Sequence, residues 1–131
     1  MKEVEVIKER LEEAKKLQWE ISRMHFKLLE INRKLAEEIA RHYRNRIEEI
    51  VRSVAREMGF GVRTILICSN DEVKIVIIPT ERLYEDEEDR FVRVVEDELM
   101  RRIREFADPV CRPSVVVHYD EEFWMERRYC Y

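Results

Sequence analysis

Met58-Gly59-Phe60-Gly61-Val62-Arg63-Thr64-Ile65-Leu66-Ile67-Cys68 is the stretch at which the chain changes period. Upstream of it no Gly or Pro occurs and good helix formers dominate from Lys2 to Met58, so the first part reads as helix. Gly59 suits the left-handed stop of a helix, where a Cβ would clash. Downstream, Gly61 to Cys68 is rich in β-formers, Ser69-Asn70-Asp71-Glu72 supplies turn chemistry, and Val73-Lys74-Ile75-Val76-Ile77-Ile78 is the returning run. The two runs predict a β-hairpin, ended by Pro79, which cannot donate to a ladder.

A second helix is expected from about Tyr84 to Ala107, burying Phe91, Val92, Val95, Leu99, Ile103 and Phe106. Acidic Glu85 to Asp89 open it and Arg101, Arg102 and Arg104 lie near its end, matching the helix dipole. Asp108-Pro109 closes it, and Ser114 to Tyr119 reads as a third strand. The tail from Glu121 carries Phe123, Trp124, Tyr129 and Tyr131, too aromatic for pure disorder. The order α-β-β-α-β predicts an α+β fold: a long N-terminal helix followed by a ββαβ two-layer unit. A right-handed crossover sets the third strand parallel to the second, most simply beside the first.

The first helix, if unbroken, would reach about 85 Å, against about 30 Å for a compact domain of this size. Its apolar spacing shows what it packs on. Ile7, Ala14, Ile21, Leu28 and Leu35 recur every seven residues, with Leu17, Met24 and Ile31 three residues after members of that set, the a/d seam of a coiled coil. Beyond Leu35 the stripe becomes Ile39, Tyr43, Ile47, Ile50, Val54 and Met58, rotated by very roughly 90°. Two stripes imply two partners: residues 1–36 as an oligomerisation helix, and residues 37–131 as a body whose own helix covers its sheet. Trp19 and Phe26 sit away from the seam. They fit a bundle of three or more helices better than a two-stranded coil, with a pair of partly exposed aromatics as the plain alternative.

The chain has 131 residues and 16.1 kDa, one domain's worth. With 41% charged residues and a mean hydropathy of -0.52, it contains no membrane span. Met1 to Glu5 lacks the basic and apolar blocks of a secretory signal. The 25 basic and 29 acidic residues give a net charge of -4, unfavourable for a dedicated duplex-DNA binder, although the first sixty residues are net basic. Cys68, Cys111 and Cys130 are odd in number and widely spaced, which suggests neither a closed disulfide set nor a zinc site and points to a reducing cytoplasm. Scarce Asn and Gln with abundant Glu, Arg and Lys suggest a thermophilic source.

Phosphate-loop, dinucleotide, zinc-protease and serine-hydrolase motifs do not occur. Asp71-Glu72-Val73-Lys74 has the acidic-x-Lys form of metal-dependent nucleases, in which carboxylates hold a divalent ion and the lysine stabilises charge at the attacked phosphate; a polar hairpin turn explains it more simply. His118 and Asp120 share a sheet face at period two, the start of a metal site or a hydrogen-bonded strand histidine. Arg41, Arg44, Arg52 and Arg56 form a basic stripe suited to nucleic-acid phosphates. Glu48, four residues from both Arg44 and Arg52, would pair with them and weaken its field.

The element order resembles type II KH-type domains, and Arg112-Pro113-Ser114-Val115-Val116-Val117-His118-Tyr119-Asp120 is similar to the final strand of the bacterial ribosome-binding factor A family, small KH-like RNA binders. The chain departs from that pattern in the hairpin and lacks the Gly-x-x-Gly clamp. The same order also resembles the cytoplasmic domain of cation diffusion facilitators.

The sequence is thus expected to encode a non-enzymatic homo-oligomeric assembly or adaptor protein, a homodimer or higher helical bundle. Ile7, Leu11, Ile21, Leu28, Ile31 and Leu35 would form its interface. The first alternative is an RNA- or DNA-binding protein using the arginine stripe; the second is a metal-dependent nuclease. No catalytic residue, resident metal, cofactor, membrane or small-molecule substrate is indicated.

Overall fold

The structure is a computed structural model and describes residues 2–119. Asp120 and the aromatic tail residues Phe123, Trp124, Tyr129 and Tyr131 lie outside the described residues. Helix α1 (Lys2–His42) is followed by α2 (Arg44–Met58), strands β1 (Val62–Ser69) and β2 (Val73–Pro79), α3 (Glu85–Arg102), a 3₁₀ turn (Arg104–Ala107) and β3 (Ser114–Val117). The α+β class and the element order are those expected. The chain divides into two compact units, Met1–Ile31 and Asn32–Tyr131. The division falls before residue 36 because Ala36, Ile39 and Ala40 are already buried in the second unit's core.

Within that unit the helical run expected from Lys2 to Met58, whose continuity the sequence leaves open, is bent at Tyr43, with φ -102° and ψ 7°. The Tyr43 N–H still donates to the Ile39 carbonyl at 2.9 Å, and Ile47 to Tyr43 at 2.8 Å. Beyond the bend Ile47, Ile50, Val51, Val54 and Ala55 are buried, so α2 covers the protein's own body as its stripe implied. Gly59 ends the helix in the left-handed region at φ 84°, and the Phe60 N–H reaches back to the Ala55 carbonyl at 3.0 Å. Phe60 then meets Phe91 of α3 edge to face, with centroids 4.7 Å apart.

The hairpin is antiparallel, from Ser69↔Val73 at the turn to Val62↔Pro79 at the open end, with an irregularity between Val62 and Thr64. β3 runs parallel to β2, as the crossover requires, but it lies beside β2 and not beside β1. This makes β2 the central strand, and it is buried on both faces: Ile75 and Ile77 join the helix-side core, and Val76 and Ile78, on the opposite face, have zero exposure. β1 has exposed Arg63 and half-buried Thr64, Ile65 and Leu66, and tolerates the edge.

α3 begins after Tyr84, whose N–H donates to the Glu87 carboxylate at 3.3 Å. Phe91, Val95 and Leu99 are fully buried. The helix expected to reach Ala107 stops earlier: Ile103 is extended, with φ -113° and ψ 107°, and a 3₁₀ turn follows. Ile103 and Phe106 are buried all the same, because a spacing of three residues suits a 3₁₀ turn as well as an α-helix.

Candidate functional site

The first unit taken by itself is a single helix. Every described residue from Lys2 to Ile31 is exposed, and its large apolar side chains range from 41% exposure at Leu29 to 72% at Phe26. Single exposed leucines are ordinary on a soluble protein, but a periodic row of them is not. Ile7, Leu11, Ile21, Leu28 and Ile31 all stand on this open helix. Leu35 does not: it is half-buried and packs against the core of the second unit, so the open part of the seam ends at Ile31.

Local interactions on this helix are slight. Lys15 lies 3.8 Å from Glu12, and the Arg23 guanidinium sits 5.8 Å from the Trp19 ring centroid. Contacts of this kind contribute a few tenths of a kcal/mol to at most about 1 kcal/mol each. Such a helix gains most of its stability from whatever buries its apolar face.

The arginine stripe spans the bend at Tyr43. Arg41 belongs to α1 and donates to Glu37 at 2.8 Å, whereas Arg44, Arg52 and Arg56 belong to α2, beyond the bend at Tyr43. The expected Glu48 contact forms with Arg52, at 3.3 Å, and Arg52 also donates to the Val62 carbonyl at 3.1 Å. Two of the four guanidiniums are thus already engaged. The neighbouring Arg46, which the sequence did not single out, donates to the Arg102 carbonyl at 2.7 Å. Beside it the Tyr43 hydroxyl donates to Glu105; this bond raises the tyrosine's pKa, and Glu105 is held low by its own backbone and by the same bond.

Asp71 and Glu72 are exposed at the hairpin turn and Lys74 is half-buried. The cavity that Asp71 and Glu72 border, with Leu35, Ile39 and Cys111 among its walls, measures only about 10 Å³, room for a single water. Among the described residues no three His, Cys, Asp or Glu side chains converge as metal ligands. His118 is half-buried at the end of β3, and its N–H donates to the Ile77 carbonyl at 3.0 Å. The Asp120 half of that pairing lies outside the described residues. Cys68 is disulfide-bonded and Cys111 is a free, half-buried thiol whose pKa is raised chiefly by burial. A bonded Cys68 beside a free Cys111 is no closed set among three cysteines, as their odd number implies. No described helix is long and apolar enough to cross a membrane.

No family model, curated protein or solved structure matches the chain, so the likenesses to KH-type and cation-diffusion-facilitator domains rest on element order and one short segment.

Proposed function

We propose that this is a non-enzymatic assembly protein whose N-terminal helix associates with further copies of itself and so gathers the 32–131 bodies. The observation that carries the reading is the contrast between pattern and exposure. The a/d residues Ile7, Ala14, Leu17, Ile21, Met24, Leu28 and Ile31 keep coiled-coil spacing, yet all lie open on a single chain. Full burial of a Leu, Ile or Met contributes about 1.5 to 3 kcal/mol, so Leu17, Ile21, Met24, Leu28 and Ile31 together supply about 8 to 15 kcal/mol per chain. That is enough to offset an association cost on the order of 4 to 15 kcal/mol when two chains contribute. The arginine stripe supports nucleic-acid binding less well, since Glu37 and Glu48 occupy two of its members.

Light scattering behind size exclusion, run across a dilution series, tests the proposal. The expected result is a species of at least twice 16.1 kDa at micromolar concentration. A uniform monomer there overturns it.

A further inference from the structure

We infer that the α1 seam pairs with a second copy of this chain in the antiparallel sense and in one register, with the two-fold axis level with the Ser22–Arg23 peptide. The inference rests on the self-association proposed above and specifies its geometry.

The argument comes from the charged rows flanking the seam. With Ile7, Ala14, Ile21 and Leu28 as a residues and Arg10, Leu17, Met24 and Ile31 as d residues, the g row reads Val6, Glu13, Glu20, Lys27 and Lys34. The e row reads Val4, Leu11, Gln18, His25 and Asn32. One flank is therefore acidic in its first half and basic in its second, while the other carries no carboxylate, lysine or arginine.

In a parallel coil each g residue meets an e residue of the neighbour. Glu13, Glu20 and Lys27 would then face Gln18, His25 and Asn32, and the charged row would find no lysine, arginine or carboxylate to pair with. The parallel arrangement would also stack Arg10 on the partner's Arg10 inside a d layer, a buried like-charge contact.

Reversing one helix brings g against g and e against e. The acidic half of each g row then runs along the basic half of the other, as a two-fold isologous contact allows. With the axis at Ser22–Arg23, Glu20 faces the partner's Lys27 and Glu13 faces the partner's Lys34, each twice by symmetry. The same alignment layers Ile21 on the partner's Met24, Leu17 on the partner's Leu28 and Ala14 on the partner's Ile31. With their symmetry mates these form an unbroken apolar run in which the smallest a residue meets a β-branched one. The layered residues, with Glu20 and Lys27, all lie within the exposed 2–31 segment.

The two adjacent registers that keep a and d residues together are worse. One sets Glu20 against the partner's Glu20 and places Arg10 in the seam opposite the partner's Leu28. The other sets Lys27 against the partner's Lys27 and requires Leu35, which already packs on its own body. Charge thus selects one arrangement among those that hydrophobic spacing allows. Trp19 and Phe26 remain on the outer faces of the pair, so a bundle made of two such pairs keeps the same register.

The test uses the full chain in three forms: Glu20→Lys, Lys27→Glu, and the two together. Both positions are exposed, so the 32–131 body should unfold at the same denaturant midpoint in all three. Sedimentation equilibrium at low salt should show each single variant associating about 10-fold more weakly, because two attractive pairs become repulsive. The double variant should return to within about 2-fold of the original, and the difference should fade near 1 M salt. An equimolar mixture of the two single variants should form mostly heterodimers. If the original chain associates but the single changes have no effect, or the double change does not restore it, the antiparallel register is wrong and self-association stands. If the original chain is monomeric at micromolar concentration, the proposed function fails and this inference with it.

Discussion

Ile21 and Ile47 are the same residue type on helices of one chain, yet the first is 67% exposed and the second is fully buried. The difference lies in what each helix has to cover. Ile47 belongs to the core made by α2, α3 and the sheet, with Phe91, Leu99, Ile103 and Phe106 at zero exposure. Ile21 sits on a segment whose every described residue is exposed. The body therefore buries its own apolar stripe, while among the described residues the stripe before Asn32 stays exposed. Apolar periodicity identifies the face to be covered; the surrounding structure decides whether the cover comes from the same chain.

The largest expected effect separates the two regions from the side of the body. Phe91→Ala removes a fully buried ring that also makes the edge-to-face contact with Phe60. It should cost about 3 to 5 kcal/mol in the denaturant unfolding of the body. Self-association under conditions where the variant remains folded should not change; a loss of association there would mean that the body takes part in the interface. The complementary change, Ile21→Ala, should leave the body's unfolding midpoint within about 0.5 kcal/mol and weaken association by roughly 30-fold, or about 2 kcal/mol. A shift of the body's midpoint with unchanged association would erase the distinction between the two regions.

A smaller effect probes a boundary the sequence states openly. Gly59 adopts φ 84° with no heavy atom within 4 Å of where a Cβ would stand, so Gly59→Ala meets only backbone strain. The expected cost is about 1 to 2 kcal/mol of body stability, read from the urea midpoint, with no change in association. An unchanged midpoint would show that the end of α2 relaxes without the left-handed residue.

That boundary was legible because it is local: a glycine stops the helix and β-branched alternation begins at once. The hairpin turn, the stripe on α2 and the burial of Phe91, Val95 and Leu99 were legible for the same reason. The bend at Tyr43 was not, since neither Gly nor Pro marks it and its hydrogen-bond partner, Glu105, is far away in sequence. The place of the third strand was not legible, since the unbroken apolar run Ile75 to Ile78 marks β2 as covered on both faces but does not say which edge of the hairpin takes β3. The angles of the arginine stripe hold for one straight helix through residue 43, and the bend there separates Arg41 from Arg44, Arg52 and Arg56. Leu35 kept heptad spacing while packing on the body, since a seven-residue period and the start of the second stripe coincide there. For the candidate interface, spacing marks the row from Ile7 to Ile31 but says nothing of direction; the antiparallel sense proposed above comes from the charges beside that row.

The smallest effect concerns acid, and it belongs to the body through the end of α3. Glu98 accepts from Arg101 at 2.8 Å and lies 2.9 Å from Arg102, and the hydrogen bond from Arg101, with both positive charges, holds its carboxyl below the ordinary 4.5. Glu105 is held low in the same direction by its backbone hydrogen bond and by Tyr43. A carboxyl whose pKa is depressed in the folded state adds stability that is present above its unfolded value and is lost as pH falls through the folded value. Acidification from neutrality to about pH 3 should therefore lower the body's urea midpoint, with the loss beginning near the ordinary carboxylate range. Because both groups lie at the surface, the change should be slight, and Glu98→Gln should remove part of the slope without altering self-association at neutral pH. If the slope is the same in the Gln variant, the Arg101 and Arg102 pairs do not hold the end of α3. The acid response of the body must then be sought at Glu105, where the bend at Tyr43 meets the 3₁₀ turn.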